Sequence, residues 1–228
     1  MRRNLVGYTV VVAIAFSFGC GALCKKAKEA PERKAEVVKA KPGQWIELFN
    51  GKDLTGWRLL HEDWRNGWTV EDGILVNKFA GSDLITEEKF MDFELHIEFN
   101  VPRGGNSGVY LQGRYEIQID DCYGQRIRNT MCGAIYGRIA PKVNAAKQAG
   151  EWQSFDVKFT SARRDEAGKL VKKARVTVIH NGVPIIEDAE IEGVTGGAMD
   201  NNEGTPGPLR LQGDHGPIQY RNIRIKPL

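Results

Sequence analysis

Hydrophobic and polar residues alternate with period two along much of the chain. In Asn106 to Asp121, Val109, Leu111, Tyr115, Ile117 and Ile119 fall on one face, and Tyr110, Gln112, Arg114, Glu116, Gln118 and Asp120 on the other. This reads as one strand with a side built for a core and a side that is either a solvated face or a binding surface. Phe93, Leu95, Ile97 and Phe99 alternate with Glu94, His96, Glu98 and Asn100, and Phe155, Val157 and Phe159 alternate with Asp156, Lys158 and Thr160. Further segments run over 68–76, 175–180, 183–187, 209–212 and 218–225, and Asn181-Gly182 between two of them is a hairpin signal. Helical periodicity is nearly absent from Gln44 onward, so there are no crossover helices to connect parallel strands. The pattern predicts an all-β, antiparallel jelly-roll sandwich, with long loops such as 193–208 crowding one rim. A sandwich leaves the outer side of each sheet available. A concave one lined by Gln, Arg, Glu, Tyr and Trp suits a sugar, whose hydroxyls bond planar polar groups and whose apolar faces stack on rings.

The 228 residues fit one such domain plus a tail. Two arginines, an apolar run from Leu5 to Phe18, then Gly19 and Cys20 have the order of an export signal over 1–20. A single-spanning anchor is the rival reading, but the run is short of the roughly 20 residues a spanning helix needs. Ser17-Phe18-Gly19-Cys20 also resembles a lipoprotein box, which makes Cys20 the expected lipidation site and membrane anchor, with Cys24 second, and places the protein in the periplasm or cell envelope. Residues 21–43 are rich in Lys, Glu and Ala, lack aromatics and read as a tether or a short surface helix. The domain proper then spans 44–228.

Charge changes the picture little. Residues 1–43 hold nine Lys and Arg against three Glu, a local +6, so the +3 of the whole chain leaves 3 − 6 = −3 for the domain. No basic element interleaved with aromatics points to nucleic acid. Arg163, Arg164, Lys169, Lys172 and Lys173 read as a solvated hairpin tip. Cys122 and Cys132 flank a polar loop, where an oxidising compartment could join them in a disulfide. No cysteine or histidine spacing suits a structural zinc.

Several ordered motifs carry a resemblance over about residues 45–228. They are Phe49-Asn50-Gly51-Lys52-Asp53-Leu54-Thr55-Gly56-Trp57, Trp68-Thr69-Val70-Glu71-Asp72-Gly73, Asn106-Ser107-Gly108-Val109-Tyr110 running into Arg114 to Gln118, Gly133-Ala134-Ile135-Tyr136-Gly137, Gly150-Glu151-Trp152-Gln153, and Leu209 to Gln212 continuing to Arg221-Asn222-Ile223. The chain resembles the 3-keto-disaccharide hydrolase domain family. The resemblance implies a concanavalin A-like jelly roll, often exported, acting on glycosides whose ring carries a ketone at carbon 3. The chain departs from the family pattern at Leu211-Gln212-Gly213-Asp214-His215-Gly216, where an intervening glycine could be absorbed by a bulge.

A carbon-3 ketone acidifies the hydrogen on carbon 2, so the carbon-1 substituent can leave by β-elimination and water can add back. That chemistry needs a base, an enolate partner and an acid. Glu116 and His215 are the candidate acid and base, and Arg114 and Arg210 the candidate enolate or hydroxyl clamps. Gln118 and Gln212 are candidates for positioning, with Tyr110, Gln112 and Tyr136 completing the expected substrate face. One mid-strand carboxylate argues against a two-carboxylate glycosidase. No cofactor is called for, though Asp120 and Asp121 could hold a divalent cation or simply cap a turn. Arg114 and Glu116 could instead form a structural charge network with Arg210. Trp57, Trp64 and Trp68 could stack on sugar, with Trp57 and Trp68 in motifs that fill a core; His61 and His96 read as surface residues. The competing function readings are a noncatalytic carbohydrate-binding module using the same face, and a structural or adhesion domain without a small-molecule pocket.

Overall fold

The structure is a computed structural model that describes residues 41–228. The expected signal, Cys20, Cys24 and nearly all of the expected tether lie outside the described residues. The strands are, in chain order, β1 (Ile46–Glu47), β2 (Trp57–Leu59), β3 (Trp68–Glu71), β4 (Ile74–Asn77), β5 (Leu84–Thr86), β6 (Phe93–Asn100), β7 (Asn106–Leu111) and β8 (Tyr115–Asp120). They continue with β9 (Trp152–Thr160), β10 (Arg163–Arg164), β11 (Leu170–Lys172), β12 (Arg175–His180), β13 (Val183–Glu190), β14 (Arg210–Leu211) and β15 (Ile218–Pro227). One sheet has the order β13-β12-β9-β6-β15-β4-β3 with β1 added beside β15, a second has the order β2-β5-β14-β7-β8, and β10 and β11 form a ribbon. The named strand pairs are antiparallel. The domain is an all-β jelly-roll sandwich of the concanavalin A-like type.

The core lies between the two sheets. Strand β6 alternates buried and half-buried residues along its whole length, which puts Phe93, Leu95, Ile97 and Phe99 inside. From the second sheet Val109, Leu111, Tyr115, Ile117 and Ile119 are fully buried opposite them. The Tyr115 and Phe159 rings meet across the layers at 5.4 Å, and the Ser107 and Tyr220 hydroxyls bond at 2.8 Å. Each large apolar side chain so enclosed contributes about 1.5–3 kcal/mol. Trp57 and Trp68 belong to this core.

Two segments expected as single strands are hairpins. Stretch 106–121 folds back at Gln112 and Gly113, whose φ angles are 54° and 67°, so that Tyr110 pairs with Glu116 and Leu111 with Tyr115. Stretch 68–76 folds back at Asp72 and Gly73, with φ of 49° and 78°, and Glu71 pairs with Ile74. Asn181 and Gly182 make the expected turn with φ of 52° and 78°, joining His180 to Val183. Consecutive positive φ angles give these turns the twist that suits a hairpin. Loop 193–208 reaches beyond the rim. It crosses the turn end of β7–β8 and its polar face, with Thr195 and Met199 donating N–H bonds to the Arg114 and Gly113 carbonyls.

Candidate functional site

Registers define what lies side by side on the outer face of the second sheet. Arg210 of β14 pairs with Tyr110 of β7, and Tyr110 with Glu116 of β8, giving the row Arg210, Tyr110, Glu116. In the next row Gly108 stands opposite Gln118. These side chains project away from the core by strand alternation, yet Tyr110, Glu116 and Arg210 are all buried, because loop 193–208 covers them.

Glu116 sits at the centre of this buried row. The Tyr110 hydroxyl donates to its Oε2 at 2.9 Å, and the Gly196 carbonyl lies 3.2 Å from the same hydroxyl. Burial pushes the Glu116 carboxyl up to about 7; the Tyr110 hydrogen bond and the charges of Arg210 and His215 oppose this, while Asp214 adds to it. A carboxyl that titrates near neutrality can both take and return a proton at working pH. Burial and the Glu116 charge also raise the Tyr110 phenol, so it remains a donor. Gly108 makes room for this arrangement, since a Cβ there would lie 2.4 Å from Glu116 Oε1. Gly108→Ala is therefore expected to push the carboxyl away from Tyr110 while the fold persists; a crystal structure of the variant together with circular dichroism checks this.

Arg210 is held from three sides. Its Nε donates to Asp83 Oδ2 at 2.5 Å, its Nη2 pairs with the same oxygen, and its Nη1 donates to the Gly197 carbonyl at 2.6 Å. The guanidinium lies over the Tyr110 ring, 4.1 Å from its centroid. Of its five N–H groups these contacts use three, leaving donors for a bound molecule. Asp83 Oδ1 accepts the Gly213 N–H at 2.7 Å. The intervening glycine of the Leu211-to-Gly216 stretch is explained by close approach: a Cβ at Gly213 would lie 2.6 Å from the Ser82 carbonyl oxygen and 2.9 Å from Trp68 Nε1. Asp214 and His215 follow on the rim, joined by a bond from His215 Nδ1 to Asp214 Oδ1.

Beside Arg210 opens a cavity of about 260 Å³, walled by Asp83, Gly197, Ala198, Met199, Asp214, Leu60, His61 and Trp64. Neither His61 nor Asp83 stands out in the sequence, because neither lies in an alternating polar run. In the row beyond Arg210, Gln212 Oε1 is buried and lacks a hydrogen-bond partner among the described residues.

Other expected site residues have different surroundings. Gln112, in the β7–β8 turn, ties two connecting segments, its Nε2 donating to the Phe90 carbonyl at 2.8 Å and its Oε1 accepting from Ser161 Oγ. Arg114 binds the covering loop through Asp200 at 2.6 Å and Thr205 at 2.8 and 2.9 Å. Gln118 Nε2 donates to Asn106 Oδ1 at 2.8 Å. Tyr136 is exposed, with its backbone N–H bonded to the Glu116 carbonyl.

Asp120 accepts from the Cys132 N–H at 2.5 Å and from Arg128 at 2.6 Å, and Asp121 accepts from the Gly104 N–H. These are turn-fixing roles. Cys122 and Cys132 are buried free thiols, and with Asp120 they bring potential ligand atoms within 4.8 Å of one another. Burial raises the Cys132 thiol and Arg128 already neutralises Asp120, so this trio is poorly suited to a metal, which requires thiolates.

A model of the 3-keto-alpha-glucoside-1,2-lyase-like domain matches residues 44–226. A 3-keto-disaccharide hydrolase of Bacteroides thetaiotaomicron is 36% identical over 97 residues, covering 37% of this chain and 33% of that protein. The match thus spans about a third of the length of that curated relative. A crystal structure of a candidate glycosyl hydrolase from Parabacteroides distasonis is 36% identical, with a TM-score of 0.69 over 81% of this chain and 84% of the other. Another from the same organism is 27% identical, with a TM-score of 0.59 over 81% of this chain and all of the other.

Proposed function

This chain belongs to the 3-keto-alpha-glucoside-1,2-lyase-like domain family, and we propose that it cleaves 3-keto-glycosides by β-elimination, with water adding back to give net hydrolysis. Its coarser assignment is a carbohydrate-active, glycoside hydrolase-like protein. The observation that carries the finer reading is the buried Glu116 carboxyl, bonded by Tyr110 in a row shared with Arg210, which lines the cavity.

In this reading Glu116 takes the proton from carbon 2, and the electron pair left behind forms an enolate with its charge on the carbon-3 oxygen. Free N–H groups of Arg210 stabilise that oxygen. The enolate then collapses to restore the ketone, forms the carbon-1 to carbon-2 double bond and expels the carbon-1 oxygen, which His215 protonates. Water adds hydroxyl to carbon 1 and a proton to carbon 2, giving the free 3-keto-sugar. Gln212, with an unpartnered acceptor beside Gly108, positions a ring hydroxyl. Arg114, occupied by Asp200 and Thr205, braces the loop that excludes water, so the enolate role falls to Arg210 alone.

Incubation of the purified protein with an α-linked 3-keto-disaccharide tests the proposal: released free sugar and either a 3-keto-sugar or its unsaturated precursor are expected. Saturable binding without release would identify a noncatalytic sugar-binding module instead.

A further inference from the structure

The cavity beside Arg210 has a volume of about 260 Å³, below the roughly 300–1,000 Å³ of clefts that enclose drug-sized ligands. A single sugar ring suits it better than a disaccharide. The reacting ring must lie inward, toward Arg210, so the ring attached through carbon 1 has to lie at the mouth. There the wall is aromatic. Trp64 is 52% exposed and its indole stacks on the His61 ring, with centroids 4.5 Å apart and planes inclined by 29°.

The turn that presents these rings is tied to the site. Leu60 donates its N–H to the Asp83 carbonyl at 2.8 Å and Ser82 donates to the Arg65 carbonyl at 2.8 Å. His61 donates its N–H to Ser82 Oγ at 2.9 Å. Gly81 permits this close approach, since a Cβ there would stand 2.3 Å from the Arg65 carbonyl oxygen. Asp83, which receives Leu60, also holds Arg210. The platform and the guanidinium therefore share one support, which fixes the indole relative to the ring in the cavity.

We propose that Trp64, backed by His61, is the platform on which the departing sugar ring stacks, so that the protein selects glycosides whose leaving group is itself a ring. The selection rests on the elimination reaction proposed above. An indole offers a flat apolar surface to the C–H face of a pyranose, and Asp214 at the same mouth accepts from its hydroxyls.

The test compares kcat/KM for 3-keto-maltose and for methyl 3-keto-α-glucoside in the parent, Trp64→Ala and Trp64→Phe proteins. The parent is expected to prefer the disaccharide. Trp64→Ala should lower its kcat/KM about 5- to 20-fold, mainly through KM, and affect the methyl glycoside much less, while Trp64→Phe keeps most of the preference. Equal losses on both substrates, or no loss on either, would overturn the platform. If the parent cleaves neither glycoside, the reaction is wrong, and intrinsic fluorescence decides the platform separately. Titration with maltose should change the emission of the parent and not of Trp64→Phe; identical responses would overturn it.

Discussion

Replacing Glu116 by Gln is expected to lower turnover by roughly 10²–10⁴-fold, the usual loss when a general acid or base is removed, and at the same time to stabilise the folded protein at pH 8. The two effects have one cause. Burial raises the carboxyl to about 7 from its ordinary 4.5, so the folded state binds this proton more tightly than the unfolded state. Its favourable contribution is full below about pH 4.5 and is lost as pH rises through 7. The difference corresponds to about 3 kcal/mol of stability. Gln keeps the shape and cannot ionise, so the variant escapes that loss. Its melting temperature should match that of the parent near pH 4.5 and exceed it by about 6–12 °C above pH 8. A carboxylate that merely braced Arg210 would show the reverse, with stability lost at neutral pH. The parent's kcat/KM should also rise with pH through about 7, as the base ionises, and this limb should be absent from any residual activity of the variant. Thermal melts and rate profiles over pH 4.5–8.5 check both halves.

Asp83→Ala is expected to cost about 3–5 kcal/mol, because it leaves the Arg210 guanidinium buried without its counter-charge. The Asp83 and Arg210 side chains are only 6% and 8% exposed, so water entering the cavity replaces the lost partner only in part. The Gly213 N–H loses its acceptor as well. Arg210 remains tied to the Gly197 carbonyl and the Tyr110 ring but is no longer aimed, so turnover should fall together with stability. Asp83→Leu combined with Arg210→Met should be much closer to the parent in stability than Asp83→Ala, since an apolar pair removes the orphaned charge, and should be inactive. Urea unfolding midpoints for the parent and the variants separate the two effects. A double variant as unstable as Asp83→Ala would show that the ion pair is not the source of the loss.

The contrast between Arg114 and Arg210 shows where sequence reasoning stops. Both are arginines at polar positions of expected strands in family motifs, and period two assigns them alike, although Arg114 lies in the hairpin turn. What separates them is tertiary: Asp200 and Thr205 arrive from the covering loop to occupy Arg114, whereas Asp83 arrives from β5's approach, 127 positions away, and leaves Arg210 donors at a cavity. The core side of 106–121 was legible despite the unforeseen turn. Leu111 and Tyr115 become partners, and cross-strand partners share a face, so the fold-back preserves the alternation and period two cannot reveal it. The Gln112-Gly113 and Asp72-Gly73 dipeptides were the available signals, the second as direct as the Asn181-Gly182 signal that did identify its hairpin. Trp64 was a candidate for stacking on sugar by its type alone, but its place was not legible: it lies with His61 in a short turn without periodicity, and the pairing of that turn with 81–83 brings both to the cavity.

The most direct measurement is proton NMR of the products formed from a 3-keto-α-glucoside in deuterated water, with the Glu116→Gln protein as the control for spontaneous exchange. Elimination breaks the carbon-2 C–H bond, so solvent deuterium is expected at carbon 2 of the 3-keto-sugar, or the carbon-2 signal is absent from an unsaturated intermediate, and a substrate deuterated at carbon 2 should release its aglycone more slowly. A 3-keto-sugar released by the parent with its carbon-2 hydrogen intact and at the same rate from both isotopologues would mean direct displacement at carbon 1 and would contradict the account.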